Sequence, residues 1–267
     1  MTAPQPPDLH DLADQVLAAA RKAGAESADT LVVDGRSVSI DVRAGALEQA
    51  ERSEGIDLGL RVLLGPCQAC VSISDSAPDA IASMAERAVA MAREAPEDPT
   101  CGLASADELA RKWDADALEL ADGQEPGAAE LQDFAMRAEA AALAVPGVAQ
   151  TQGATAYTSW SNRVLATSGG FVGGYARGAH GLNCVAISGQ GLAMERDYMG
   201  EARTFLADMP DPETIGKIAG ERAVERAGAK RPPTGSYPVL FDERISSSLI
   251  GHLTGAINGS AIVRGAS

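Results

Sequence analysis

Apolar positions at Leu9, Leu12, Ala13, Val16, Leu17 and Ala20 recur at helical spacing behind Asp8, a cap-forming residue, and stop at Gly24. The period then changes to two. Val38, Ile40 and Val42 alternate with polar residues, as do Ile56, Leu58, Leu60 and Val62, then Ala69, Val71 and Ile73; Gly45, Gly55 and Gly65-Pro66 punctuate them. This pattern predicts an antiparallel sheet with one covered face. Ser76 and Asp79 form a capping-box pattern ahead of Ile81, Met84, Ala85, Ala88, Val89 and Ala92, which predict a second amphipathic helix.

From Ala95 to Gly127 the periodicity fades among Pro96, Pro99, Pro126 and many carboxylates, and the stretch reads as a solvated connector with one short helix around Asp107 to Trp113. The same order then returns. A helix runs through Leu131, Phe134, Ala135, Ala138 and Ala142. Strands follow around Val148 to Tyr157, Arg163 to Thr167, Phe171 to Ser188 and Leu192 to Phe205, and a helix from Pro212 to Ala227 closes the set. Glu86-Arg87-Ala88-Val89 is echoed by Glu221-Arg222-Ala223-Val224; duplication and coincidence both account for four matches in alanine-rich helices. The fold class is therefore read as α+β, with two helix-flanked antiparallel sheet units plus the start of a C-terminal β-rich domain. The boundaries fall at 1–122, 123–231 and 232–267, the last domain being read as truncated at Ser267.

At 267 residues with 45% hydrophobic content, the chain has material for two modest cores. Its net charge of -15, from 37 acidic and 22 basic residues, repels a phosphate backbone and argues against direct nucleic-acid binding. No apolar run approaches a bilayer span, and Met1 to Pro7 lacks the basic start and apolar stretch of a signal peptide, so a cytoplasmic protein with no membrane partner is expected. Cys67, Cys70, Cys101 and Cys184 are too few and too unevenly placed for a secreted disulfide scaffold.

Several stretches invite a chemical reading and a plainer one. Cys67-Gln68-Ala69-Cys70 has the spacing of half a zinc knuckle, but no second pair exists and strand alternation points the two thiols to opposite faces. Gly169-Gly170-Phe171-Val172-Gly173-Gly174 could cradle a phosphate only if a helix followed; a strand pattern follows, which makes it a hairpin turn. His10 lies on a first helical turn and reads as solvent-facing. His180, between Gly178 and Gly181, reads either as an exposed imidazole contacting a peptide or partner subunit, or as a structural residue. Tyr157, Trp160, Tyr175 and Tyr198 concentrate with Arg163, Arg177, Arg196 and Arg203 in a chain of only 4% aromatics. Either an interface or ordinary sheet packing accounts for them. The candidate contact residues are accordingly His180, Arg177, Tyr175, Arg196 and Tyr198, and an open sheet edge would let a peptide add as a strand. No Ser-His-Asp or Cys-His arrangement follows from spacing, so no catalytic residue is assigned.

Tyr237-Pro238-Val239-Leu240-Phe241-Asp242 followed by Gly251-His252-Leu253, Gly255-Ala256-Ile257 and Gly259-Ser260-Ala261-Ile262 resembles the TldD/PmbA family of bacterial peptidases. Gln68-Ala69 to Val71-Ser72-Ile73-Ser74-Asp75, Glu195-Arg196-Asp197-Tyr198, and Ile215-Gly216 to Glu221-Arg222-Ala223 agree with it. In that family the TldD-type subunit carries a His-Glu-x-x-x-His zinc helix that the PmbA-type (TldE) subunit has lost. Here the first His falls near His252, the Glu on Leu253 and the second His on Ile257. A lone imidazole cannot hold catalytic zinc, so His252 is at most a vestigial metal position. The resemblance implies a PmbA/TldE-type subunit of a cytoplasmic zinc metallopeptidase complex acting on unfolded or small peptides. It implies no cofactor in this chain, zinc in a TldD-type partner, and a homo-oligomer when the chain is alone. The alternative is a non-enzymatic peptide-binding scaffold or regulator, such as a gyrase modulator.

Overall fold

Asp8 opens the first helix by accepting the backbone N–H of His10 at 2.8 Å. That helix, α1 (Leu9–Ala23), ends where Gly24 takes φ 102, a conformation costly to any residue with a Cβ, and returns its N–H to the carbonyls of Ala20 and Arg21. The structure is a computed structural model and describes residues 8–265 and 267; the leader reading of Met1 to Pro7 lies outside them.

Three strands follow as a meander: β1 (Ser27–Arg43), β2 (Ala46–Leu64) and β3 (Cys67–Ile73). Ala44 and Gly45 make the first turn with φ 54 and 71, the double positive φ of a two-residue hairpin. The turn is held from outside. Glu139, 1% exposed on helix α3 (Ala128–Leu143), accepts the N–H groups of Ala44 and Gly45 at 2.9 and 2.8 Å and the hydroxyl of Thr151. Helix α2 (Pro78–Glu94) then lays Ile81, Met84, Ala85, Ala88, Val89 and Ala92 against the sheet. Its N-cap is Ala77 rather than Ser76, with Pro78 in the first turn and no side-chain cap. Asp75 spends its carboxylate on the Ala77 N–H instead.

Residues 95–127 contain turns but no helix, in contrast to the helix expected around Asp107 to Trp113. Ser105 and Glu108 close a single turn reciprocally, through the Ser105 N–H and hydroxyl to one Glu108 oxygen. Ala110-Arg111-Lys112 beyond it offers no apolar face to propagate the turn. After α3 come β4 (Val148–Thr167), β5 (Val172–Ser188), β6 (Glu195–Arg203) and α4 (Pro212–Glu225). Gly216 lets α4 approach α3 closely, since a Cβ there would fall 1.9 Å from the Ala138 carbonyl oxygen.

The six strands form one antiparallel sheet in the order β3-β2-β1-β4-β5-β6. The two sheet units read from the sequence meet edge to edge where β1 pairs with β4, from Asp29 opposite Thr167 to Val42 opposite Ala154, so the sheet runs across the boundary placed in the connector. Both helix pairs cover the same face. On β1, Ala28 and Val32 enter the core with α1 and α2, whereas Ile40 and Val42 enter the core with α3 and α4. All four share one parity, so one strand serves both cores from one side.

The described residues up to Gly228 pack as one compact unit and Ala229–Ser267 as another. The second contains α5 (Glu243–Ala256), capped by Asp242, and α6 (Gly259–Val263), capped by Asn258. The β-rich start expected from 232 onward is helical instead, with no strand among its described residues. The physical reason is legible: a good N-cap precedes Ile245, Leu249, Ile250, Leu253 and Ile257 at helical spacing. Among the described residues, no helix is long and apolar enough to cross a membrane.

Candidate functional site

Midway along β1 the covered face of the sheet changes character. Between the apolar Val32 and Ile40 the same parity places Asp34, Arg36 and Val38, and here neither helix pair closes over the strands. A cleft of about 270 Å³ remains, floored by Val38, Ile40, Ala50 and Trp160 and walled by Pro126 and Ala128 at the start of α3. Register explains its polar wall. Arg36 lies directly opposite Trp160, its guanidinium carbon 4.3 Å from the ring centroid, and it pairs with Glu125 from the connector. The stacking buries Arg36 Nε with no hydrogen-bond partner among the described residues, although 40% of the side chain is exposed.

The connector is held along the rim by a buried polar chain. β6 pairs with β5 only from His180 onward, so the earlier half of β5 has a free edge, and the connector fills it: Gly178 N–H donates to Leu120 O at 2.7 Å, and Trp113 Nε1 donates to Gly174 O at 3.4 Å. Next along, Asp122 receives His180 Nε2 at 3.1 Å, the Leu206 N–H at 2.7 Å and the Gln124 N–H at 3.0 Å. Thr158, opposite His180 on β4, reaches His180 Nδ1 at 3.1 Å. One tautomer satisfies every group, with Nε2–H donating to Asp122 and the Thr158 hydroxyl donating to Nδ1. Burial alone would raise the Asp122 carboxyl, but the Leu206 and Gln124 N–H groups and the His180 ring outweigh it and hold it below the usual carboxylate range.

The other residues singled out from sequence do not converge. His180 is 3% exposed, so it is a buried structural residue and not an exposed contact; its even position on β5 turns it to the helix-covered face. Tyr175 and Arg177 point to the opposite, open face, where Tyr175 stacks near Arg163 with 5.8 Å from guanidinium carbon to ring centroid. Arg196 and Tyr198 also lie on that face, but they pair with Ile187 and Val185, roughly 26 Å or more along the strand from Arg177. Arg196 reaches Gln152 at 3.2 Å. His252 is exposed on α5, within the C-terminal unit.

Among the described residues, no set suited to zinc lies around His252, whose helical neighbours Leu253, Ala256 and Ile257 offer no ligand. Among the described residues, no group of three or more His, Cys, Asp or Glu side chains is placed to hold a metal ion. Cys67 and Cys70 lie three residues apart on β3 as free thiols, and Gly169-Gly170 forms the β4–β5 hairpin turn, with Gly170 at φ 91. Arg36, Asp122 and Glu125 were missed in the sequence. The signal for Arg36 was present, since Asp34 and Arg36 interrupt an apolar stripe of otherwise constant parity; Asp122 and Glu125, in an aperiodic acidic stretch, carried none.

Comparison with known proteins places this architecture. Residues 28–92 match the model of PmbA/TldA metallopeptidase domain 1, and residues 121–227 match that of the PmbA/TldA metallopeptidase central domain. The metalloprotease PmbA of Escherichia coli O157:H7 is 31% identical over 249 residues, which cover 93% of this chain and 54% of that protein. A PmbA homologue of Haemophilus influenzae is 29% identical over 246 residues, covering 92% of this chain and 54% of its own. The chain thus spans about half the length of these relatives. In fold, it superimposes with a TM-score of 0.84 on a Bacteroides thetaiotaomicron protein named for modulation of DNA gyrase, at 21% identity, covering 94% of this chain and 57% of the other. TldE from Thermococcus kodakarensis matches at a TM-score of 0.62 and 17% identity, covering 80% and 47%. With domain 1 and the central domain both matched, in order and over more than half its length, the chain belongs to the PmbA/TldD family of metallopeptidases.

Proposed function

We propose that the chain is a PmbA/TldE-type subunit of a cytoplasmic TldD/TldE zinc metallopeptidase complex that acts on unfolded or small peptides. The observation that carries this reading is the pair Leu253 and Ile257, which stand where a His-Glu-x-x-x-His helix needs its carboxylate and second imidazole. Likeness to PmbA and to the TldE fold supports the subunit type. In this reading zinc and the activated water belong to a TldD-type partner, and the present chain contributes shape and peptide contacts.

The test is reconstitution. The full-length protein, a TldD-type subunit and the two together are assayed on an unfolded peptide, with zinc per particle measured on each. Cleavage is expected only in the mixture, with about one zinc per heteromeric pair there and none on this protein alone. Cleavage by this protein alone, abolished by His252→Ala, overturns the assignment.

A further inference from the structure

The free edge of β2 carries a site of its own. On one side β2 pairs with β1 along its whole length, from Ala46 to Leu63; on the other it pairs with β3 only from Leu58 to Leu64. β3 is short, and Ile73 ends opposite Leu58. Among the described residues nothing pairs with Ala46–Asp57 on the outer side, so alternate N–H and C=O groups there face outward. The ledge continues the line of β3, so a strand laid on it would extend an existing position in the sheet.

Two further observations say what would lie there. The cleft over Val38, Ile40 and Trp160 opens onto this ledge, with Ala50, Glu51 and Arg52 of β2 as its outer lip. A strand added to β2 sends every second side chain to the covered face, and the one opposite Ala50 would enter the cleft. The ledge is also acidic. Within Ala46–Asp57, Glu48, Glu51, Glu54 and Asp57 face one base, Arg52, which pairs with Glu54; Arg43 of β1 pairs with Glu48, Asp57 accepts from Ser74, and Glu51 has no partner among the described residues. Such an edge repels another acidic strand and favours a cationic one.

We propose that Ala46–Asp57 binds an extended cationic peptide as a seventh strand, with one large apolar side chain of that peptide seated in the cleft beside Trp160. This deepens the function proposed above and takes from it only that the ligand is a peptide. Main-chain pairing supplies sequence-tolerant affinity, the cleft selects one apolar residue, and the carboxylates select flanking lysines or arginines.

The test uses the full-length protein and a labelled probe, Lys-Thr-Lys-Phe-Lys-Thr-Lys, read by fluorescence anisotropy and amide hydrogen exchange. The probe is expected to slow exchange within Ala46–Asp57. Replacing its Phe by Ala should weaken binding at least ten-fold, and N-methylation of alternate probe amides should abolish binding in one register and spare the other. Ala50→Phe, which fills the cleft, should weaken the Phe probe and leave the Ala probe unchanged. Protection of the outward-facing amides of Ala46–Asp57, those not bonded to β1, in the free protein, no change in them on adding the probe, or indifference to N-methylation in both registers each overturns the proposal. The readout needs neither zinc nor a partner. Cleavage by the reconstituted pair without protection at this edge therefore defeats the edge site alone, and protection without cleavage defeats only the peptidase reading.

Discussion

His180 Nε2 lies 3.1 Å from Asp122 Oδ1, and both side chains are 4% exposed. Among the described residues the carboxylate is the acceptor for three donors, two of them backbone N–H groups from different segments of chain. Asp122→Asn replaces one accepting oxygen by an NH₂ that faces donors, and should cost about 1–3 kcal/mol at pH 7. The sign of the pH dependence follows from the lowered carboxyl pKa. The stabilisation is complete above the unfolded-state value of about 3.9 and is lost as pH falls through the lower folded-state value. Thermal unfolding of the two proteins from pH 3 to 7 should show a gap that is widest near neutrality and narrows below about pH 4. A gap independent of pH would assign the loss to packing alone.

The Glu139 carboxylate joins the two halves of the fold, since it rises from α3 to the β1–β2 turn and to Thr151 on β4. Glu139→Ala strands two turn N–H groups that have positive-φ residues behind them and leaves them without an acceptor. A loss of about 3 kcal/mol is expected, or a fall in melting temperature of roughly 6–12 °C for a unit of this size. Hydrogen exchange at Ala44 and Gly45 should accelerate before the rest of the sheet. Unchanged exchange at the turn would show that the hairpin closes without its outside acceptor.

Both helix pairs and the strand-rich segments between them were legible because they obey simple periods: α1 through Leu9 to Ala20, β1 through Val38 to Val42, α4 after Pro212. The joining of the two meanders was not. Nothing local in Asp29–Val42 announces pairing with Ala154–Thr167, because register between distant strands is set by two-sided pairing and not by alternation within one of them. His180 shows the same limit at a single residue. Flanking glycines leave its exposure open, and only the connector, arriving through Leu120 and Asp122, decides that it is buried. The acidic composition of that connector reads as solvation, yet Asp122 spends its charge inside.

Cys184 on β5 is fully buried in the second core, with Sγ 3.9 Å from the Ala138 carbonyl oxygen. Burial, with a smaller contribution from the Glu139 carboxylate, pushes its thiol up to about 12. The thiolate is the reactive species, so iodoacetamide at pH 8 should label exposed Cys70 and leave Cys184 untouched until denaturant is added, as read by peptide mass mapping. A raised thiol pKa also carries a sign in stability. The contribution is intact below the unfolded-state value of about 8.5 and is lost as pH rises toward the folded-state value, because only the unfolded chain then sheds the proton. Cys184→Val removes that titration, so its stability should decline less steeply than that of the parent between about pH 8.5 and 11. Labelling of Cys184 in the folded protein as fast as Cys70 would show that the core between α3, α4 and the sheet opens on the timescale of the reagent, and the two pH profiles would then run parallel.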